Sequence, residues 1–255
     1  MIKKLSVVLA TFNEEKNIGE CLNSVRDIAD EIIVVDGSST DKTHEIAESY
    51  GAKVIKTDNP PIFHINKNKA IDRATCKWVL QLDADELVSD KLSNEIKNVI
   101  DKDNDTNGYW IPRKNYFLGK FLSWGGQYPD YTLRLYRNGK GRLPAKDVHE
   151  QAIVSGKVGY LKNNLLHFAD KNFKRYLERN DNYVNLLKDE MKRNNLGKDP
   201  LQIINYFFAK PIWWFLLTQI RHKGILDGWQ GIVFSFFSAL RFPRAYWRYL
   251  ATGNK

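Results

Sequence analysis

The chain has 255 residues, 43% hydrophobic and 27% charged, which excludes a fibrous or wholly disordered protein and suffices for a buried core without covalent staples. Lys and Arg outnumber Asp and Glu by 39 to 30, a net charge of +9, so a polyanionic partner is expected: nucleic acid, an anionic membrane or phosphorylated small molecules. Cys21 and Cys76 are too few for a disulfide framework or a zinc module and fit a reducing compartment.

Residues 5–12, LSVVLATF, form a continuous apolar run that predicts a central strand. The preceding Met1-Ile2-Lys3-Lys4 gives it the outline of a secretion signal, but the run ends in Asn13-Glu14-Glu15 without a small-residue cleavage site. Ile18, Cys21, Leu22, Val25 and Ile28 recur at helical spacing, and EIIVVD (31–36) predicts a second strand ending in the turn-rich GSSTD. A helix is expected over 42–50, a strand over 52–56, a helix over 64–75, a strand over 78–83 and a helix over 89–101. This alternation predicts an open parallel α/β sheet, in which ligands bind beyond the carboxyl ends of the strands. Asn104-Asp105-Thr106 is a glycosylation sequon by letter only. From residue 108 the pattern changes to short aromatic-rich strands, YWIPRKNYF and TLRLYR (132–137), a smaller mixed or antiparallel section. Phe173, Tyr176, Leu177, Val184, Leu187 and Met191 predict one face of a long helix over 172–194. Residues 201–255 hold 14 of the 32 aromatic residues, and seven Lys and Arg against one acid, Asp227.

The predicted strand ends are acidic. Strand one ends at Phe12-Asn13-Glu14, strand two at Asp36, and strand four at Asp83-Ala84-Asp85-Glu86. Carboxylates gathered at one sheet edge repel unless something positive holds them. A divalent cation carrying a diphosphate does so, because Mg²⁺ or Mn²⁺ takes carboxylate oxygens together with substrate phosphates. Each acid taken singly also suits the first turn of the helix that follows it.

SVVLATFNEEKNI, IIVVDGSSTDKT and WVLQLDADE, in this order and spacing, resemble family 2 inverting glycosyltransferases of the GT-A fold, closely over residues 5–86. WGGQYPDYTLRLYR and DVHE resemble the branch of that family that builds the lipopolysaccharide core. The resemblance implies that Phe12, Glu14 and Asp36 hold the base and ribose of a nucleotide. Ala10 stands where many members carry Pro or Thr; its backbone still lines the base pocket. Asp83 and Asp85 become the D-x-D pair, with Asp85 the direct metal ligand and Asp83 near the ribose and the metal waters. Lys67 falls at a basic position facing the nucleotide, or else is a solvated helix charge. His149 completes the metal shell, unless it and Glu150 merely fix a loop. Inverting transfer needs a base to take the acceptor proton. Asp130, after Trp124-Gly125-Gly126, is the first candidate, and Glu150 its competitor. Arg134 and Arg137 are expected on a shared face, binding a diphosphate or an anionic acceptor or simply solvated.

In the tail, two uncharged runs flank Arg221-His222-Lys223-Gly224, each shorter than a bilayer span. Trp213, Trp214, Trp229, Tyr246, Trp247 and Tyr249 are residue types of the membrane interface. In-plane amphipathic helices on an anionic leaflet are expected, the alternatives being a helical cap or a dimer interface. No nucleic-acid motif is present. The sequence thus predicts a GT-A catalytic domain over 1–170, a Rossmann-like mixed α/β sheet, and a membrane-associating helical extension over 171–255. The expected activity is metal-dependent transfer from a nucleotide sugar, a UDP-hexose, to a lipid-linked saccharide at the inner face of the cytoplasmic membrane. Polyprenyl phosphate as acceptor, or a non-catalytic nucleotide-sugar or membrane-binding module, are the alternatives.

Overall fold

The computed structural model describes residues 4–102, 105–144 and 151–252. The strand Leu5–Thr11 (β1) is buried on both faces, as its unbroken apolar sequence requires. Leu5, Val7 and Leu9 join Ile18, Cys21, Leu22 and Val25 of the helix Ile18–Val25 (α1) in one core cluster. There follow Glu31–Asp36 (β2), Thr43–Ser49 (α2), Lys53–Lys56 (β3), His64–Ile71 (α3) and Trp78–Leu82 (β4). Val8 belongs to a second cluster, with Ile33, Val35, Ala70 and Ile71, so apolar side chains cover the sheet from both sides. The strands β3-β2-β1-β4 are parallel, which brings the ends of β1, β2 and β4 to one edge.

After β4 comes a strand the sequence pattern does not announce, Glu86–Val88 (β5). The helix Asp90–Asp101 (α4) starts where Ser89 Oγ accepts the Leu92 N–H at 3.3 Å. The later strands are Gly108–Phe117 (β6), Lys120–Phe121 (β7), Asp130–Arg137 (β8), Gly141–Arg142 (β9), Ile153–Val154 (β10), Val158–Tyr160 (β11) and Leu165–Asp170 (β12). β8 runs antiparallel to β4 and to β6, and the sheet continues through β12 to β5. The sheet is therefore mixed, parallel in its first half and mainly antiparallel in its second, where β11 alone pairs parallel, with β6, among the described residues.

The chain forms two compact units, residues 1–113 with 130–167, and residues 114–129 with 168–255. In the second, Phe173–Arg193 (α5) is capped by Asn172, whose side chain accepts the Arg175 N–H at 2.9 Å. Pro200–Ile204 (α6), a π-helical turn Asn205–Ala209, Lys210–Leu216 (α7) and a π-helical turn Leu217–Arg221 run on without a break. A 3₁₀ turn, Gly224–Asp227, leads to Trp229–Ala239 (α8) and Arg241–Ala251 (α9). α5 and α9 share a core of Val184, Met191, Ala245, Tyr246 and Tyr249. Arg244 and Arg248 both reach Asp181 at 2.6 Å, so the two guanidinium groups share one carboxylate within the unit.

Residues 114–129 are fastened to these helices. The buried Asp227 carboxylate accepts the Ser123 and Trp124 N–H groups at 3.0 and 2.8 Å, and the Gly125 N–H donates to the His222 carbonyl at 2.8 Å. Gly125 and Gly126 have φ of 64° and 76°, a region glycine enters without strain. Among the described residues no helix is long and apolar enough to cross a membrane.

α8 meets the 3₁₀ turn at Gly231, where a Cβ would overlap the Gly224 carbonyl oxygen and come to 2.9 Å from Asp227 Cβ. Gly231→Ala gains about 1 kcal/mol of helix propensity, but forcing backbone apart costs on the order of 1–3 kcal/mol. The variant is expected to unfold at lower urea concentration than the wild type. Equal midpoints would mean that the close approach costs no more than the helix propensity gained, about 1 kcal/mol.

Candidate active site

The loops after β1 and β2 are bound to each other by short polar side chains. Asp36, the last residue of β2, is fully buried and accepts the Ser39 hydroxyl at 2.5 Å and the Ser39 N–H at 3.2 Å. Ser39 Oγ in turn accepts the Asn13 N–H at 2.9 Å, and Asn13 Oδ1 accepts the Thr40 N–H at 2.8 Å. Asn13 has φ 54°, a left-handed conformation that asparagine tolerates better than most side chains. Phe12 leaves β1 with its ring 43% exposed beside this paired turn. Ala10 sits opposite Val35 in the ladder, and Glu14 accepts the Asn17 amide at 2.6 Å.

At the end of β4 the charges form an alternating chain. The Lys67 ammonium, from α3, contacts Asp83 Oδ1, and Arg134 Nη2, from β8, contacts Asp83 Oδ2 at 2.5 Å. The same Arg134 nitrogen reaches Glu86 Oε1 at 2.8 Å, and Arg113 Nη1, from β6, reaches that oxygen at 3.3 Å. Arg113 also donates twice to Asp130 Oδ2, at 3.0 and 2.7 Å, across the paired strands β6 and β8. Glu86 Oε2 accepts the Asp83 N–H at 3.0 Å, closing the Asp83–Glu86 turn. Lys67 is only 4% exposed and lies 4.6 Å from the Phe63 ring centroid, so it is not a solvated helix charge.

Burial would raise the Asp83 carboxyl, yet Arg134 and then Lys67 outweigh it and hold the group well below the usual carboxylate range. Burial pulls the Lys67 ammonium below its ordinary value, and Asp83 only partly counters that. Burial would lower Arg134, but Asp83 and Glu86 raise it, so it stays charged. Arg134 Nε and Gln81 Nε2 are buried without a hydrogen-bond partner, so the cluster has donors to spare.

Asp85 has a different neighbour. Its Oδ1 lies 3.7 Å from His167 Nε2, on β12, and both side chains are mostly buried. Ligands bound at about 2.1 Å to one octahedral ion stand roughly 3 Å apart when adjacent and roughly 4 Å when opposite. At 3.7 Å the pair stands between these separations, so it could supply two ligands to a divalent cation only after a small shift; among the described residues no group of three or more such ligands comes together. Asp83, by contrast, meets a protein cation on each of its oxygens.

His149 and Glu150 lie outside the described residues. Arg134 and Arg137 do not share a face: three residues apart on a strand puts them on opposite sides. Arg137 donates to the Thr106 carbonyl at 3.0 Å and lies over the Trp78 ring. Three residues around this edge are given no role by the sequence reading. Glu86 is the junction of the ion chain, Arg113 joins it to Asp130, and His167 stands alone in an apolar strand. The acid that follows D-x-D was the one available signal.

The model of glycosyl transferase family 2 matches residues 6–153. An uncharacterised glycosyltransferase of Rickettsia typhi is 30% identical over 95% of this chain and 86% of its own. A lipopolysaccharide core biosynthesis glycosyltransferase, LpsC, of Rhizobium meliloti is 28% identical over 94% of this chain and 93% of its own. Among solved structures, mannosyltransferase PcManGT of Pyrobaculum calidifontis, in complex with GDP-Man and Mn²⁺, has a TM-score of 0.58 at 15% identity, covering all of this chain and 89% of that one. TarS 1–349 of S. aureus, in complex with UDP, has a TM-score of 0.53 at 19% identity, covering 96% and 91%. The mixed sheet and the edge built by β1, β2 and β4 are thus of the GT-A type, and the protein is a glycosyltransferase. It belongs to glycosyl transferase family 2.

Because the folded-state pKa of Asp83 is depressed, the stability it contributes is complete above the unfolded value of about 3.9 and is lost as pH falls toward the folded value. In urea titrations from pH 7 to pH 2, the advantage of the wild type over Asp83→Asn is expected to be constant above roughly pH 5 and to shrink below roughly pH 4. A difference independent of pH would show that the ion pairs do not hold the carboxylate charged.

Proposed function

We propose that the enzyme transfers a sugar, with inversion, from a nucleoside-diphosphate sugar to a hydroxyl of a lipid-linked saccharide such as a lipopolysaccharide or lipooligosaccharide core. The observation that carries the donor half is the Asp85–His167 pair at the same sheet edge as Phe12 and Asp36. The acceptor half is supported by the likeness to LpsC, a lipopolysaccharide core biosynthesis glycosyltransferase that aligns along nearly all of both chains. A UDP-hexose donor fits the likeness to TarS with UDP, though PcManGT was solved with GDP-Man. The site of action in this reading is the inner face of the cytoplasmic membrane.

Phe12 offers a ring face for the base, and Asp36 fixes the turn against which the ribose lies. Asp85 and His167 would hold Mg²⁺ or Mn²⁺; an imidazole ligand beside a carboxylate favours Mn²⁺ of the two. When bound, the cation neutralises charge growing on the departing diphosphate. Lys67 and Arg134 keep Asp83 ionised. The proton of the acceptor hydroxyl goes to a carboxylate, Asp130 or Glu150.

Asp85→Ala and His167→Ala are each expected to lower transfer from a UDP-hexose panel to a lipid-linked glycan extract by about a hundredfold or more, with thermal unfolding unchanged. Near-normal turnover in either variant would remove the metal assignment. For the base, Asp130→Asn and Glu150→Gln are compared at saturating donor. The variant that loses about a hundredfold in kcat with UDP affinity retained marks the base. If neither does, a phosphate oxygen, already ionised, replaces the hydroxyl as nucleophile.

A further inference from the structure

A helix on a water-soluble protein buries its apolar stripe and shows its polar face to water. Much of residues 200–239 does the reverse, although Tyr206 and Phe207 pack on Tyr246, and Val233, Phe234 and Phe237 pack against Phe117 and Tyr176. The helical run 200–221 turns Leu201, Ile204, Phe208, Ile212, Trp213 and Ile220 outward, each more than half exposed. Its buried positions are Tyr206, Thr218 and Gln219. α8 repeats the inversion, with Trp229 and Phe236 exposed and Gly231, Ser235 and Ser238 buried.

The two helices meet through those small and polar residues. Gln219 Nε2 donates to the Gly231 carbonyl at 3.0 Å and to Ser235 Oγ at 2.6 Å. The Thr218 hydroxyl bonds back to the Trp214 carbonyl at 2.9 Å. Small residues at the contact, hydrogen bonds closed within it and large apolar side chains outside are how helices pack when their surroundings are hydrocarbon.

Charge decides between a lipid and a second copy of the chain. Asp227, the only acid in residues 201–255, is buried on the Ser123 and Trp124 N–H groups. Arg221 and Lys223 are exposed beside Ile220, Ile225 and Leu226. Pairing two such faces sets like charges together, whereas lipid phosphates neutralise them. Length decides the depth. Residues 211–220, with a cation at each end in Lys210 and Arg221, make about 15 Å of helix, too short to cross a hydrocarbon core about 30 Å thick, so both ends stay at the headgroups and the segment enters one leaflet only.

We propose that residues 200–239 form an inside-out helical hairpin that inserts into one leaflet of an anionic bilayer. Trp213, Ile220 and Phe236 meet acyl chains, and Arg221 and Lys223 meet lipid phosphates. This differs from helices lying in plane with a polar outer face, because the hairpin's polar groups point at each other. Through Asp227 and the His222 carbonyl, the inserted hairpin also holds the Trp124-Gly125-Gly126 loop. In its functional meaning the proposal rests on the lipid-linked acceptor; its test uses neither donor nor acceptor, so either reading can fail alone.

The test is flotation of the full chain with 3:1 phosphatidylcholine–phosphatidylglycerol vesicles. The wild type is expected to float. A variant carrying Trp213→Glu and Ile220→Glu is expected to lose at least tenfold in vesicle affinity with an unchanged thermal melt. Ile153→Glu, a comparably exposed apolar site in the first unit, should bind like the wild type. Lipids brominated along their acyl chains should quench the wild-type tryptophan emission. The proposal is overturned if the double variant floats like the wild type, or if acyl bromines leave the emission unchanged. It is equally overturned if the wild type without vesicles sediments as a dimer that the two glutamates split.

Discussion

Lys67, Asp83, Arg134, Glu86, Arg113 and Asp130 come from five separate elements or turns and alternate in sign through a cluster that is largely closed to water. Moving any one of them out of water costs several kcal/mol, and only its neighbours of opposite charge offset that cost. The requirement fixes the centre of the sheet. β8 has to lie beside β4 for Arg134 to reach both Asp83 and Glu86, and β6 beside β8 for Arg113 to reach both Glu86 and Asp130. Loss of one member would leave an uncompensated charge in place, which is why such a cluster behaves as a unit rather than as separate bridges.

The same cluster separates two carboxylates that stand only two residues apart. Glu86 accepts the Asp83 N–H, and the Glu86 N–H donates to the Asp83 carbonyl at 3.0 Å, so the four-residue turn is closed on itself. Asp83 is thereby given to Lys67 and Arg134, and Asp85 to His167. In the proposed reaction this divides the work. One acid is neutralised by the protein and organises positive charge, and the other is kept for a cation and its diphosphate. The pairing of β5 with β12, which sets His167 opposite Glu86, brings the imidazole within 3.7 Å of Asp85.

The second unit follows a different packing logic. α5 and α9 bury Val184, Met191 and Tyr246 as soluble helices do, while the hairpin of residues 200–239 buries glutamine, threonine, serine and glycine and shows tryptophan and isoleucine. A lipid-inserted hairpin reconciles both within one body. The buried Asp227 carboxylate, accepting two backbone N–H groups, ties the Trp124 loop to the hairpin, so under the proposed insertion the loop would share its position at the membrane.

The sequence by itself determined the parallel half of the fold, because a strand buried on both faces is apolar at most positions and a helix between such strands has to carry a 3.6-residue stripe. Leu5–Thr11, Glu31–Asp36 and Trp78–Leu82 lie within a residue of where those patterns end. It also fixed that Asp36, Asp83 and Asp85 would end strands at one edge. Only the tertiary structure decided which of them would be neutralised. Charge pairing depends on distance in space, and Arg134 and His167 lie 51 and 82 positions from their partners Asp83 and Asp85, with no local periodicity to mark them. The same reason hid β5: three residues, Glu-Leu-Val, are too short to show a period, and they become a strand because β12 comes to lie beside them. In the tail, composition showed the aromatics and the positive charge, but which face they occupy was set by Gln219, Gly231 and Ser235 closing on one another, a contact that exists only once the hairpin has formed.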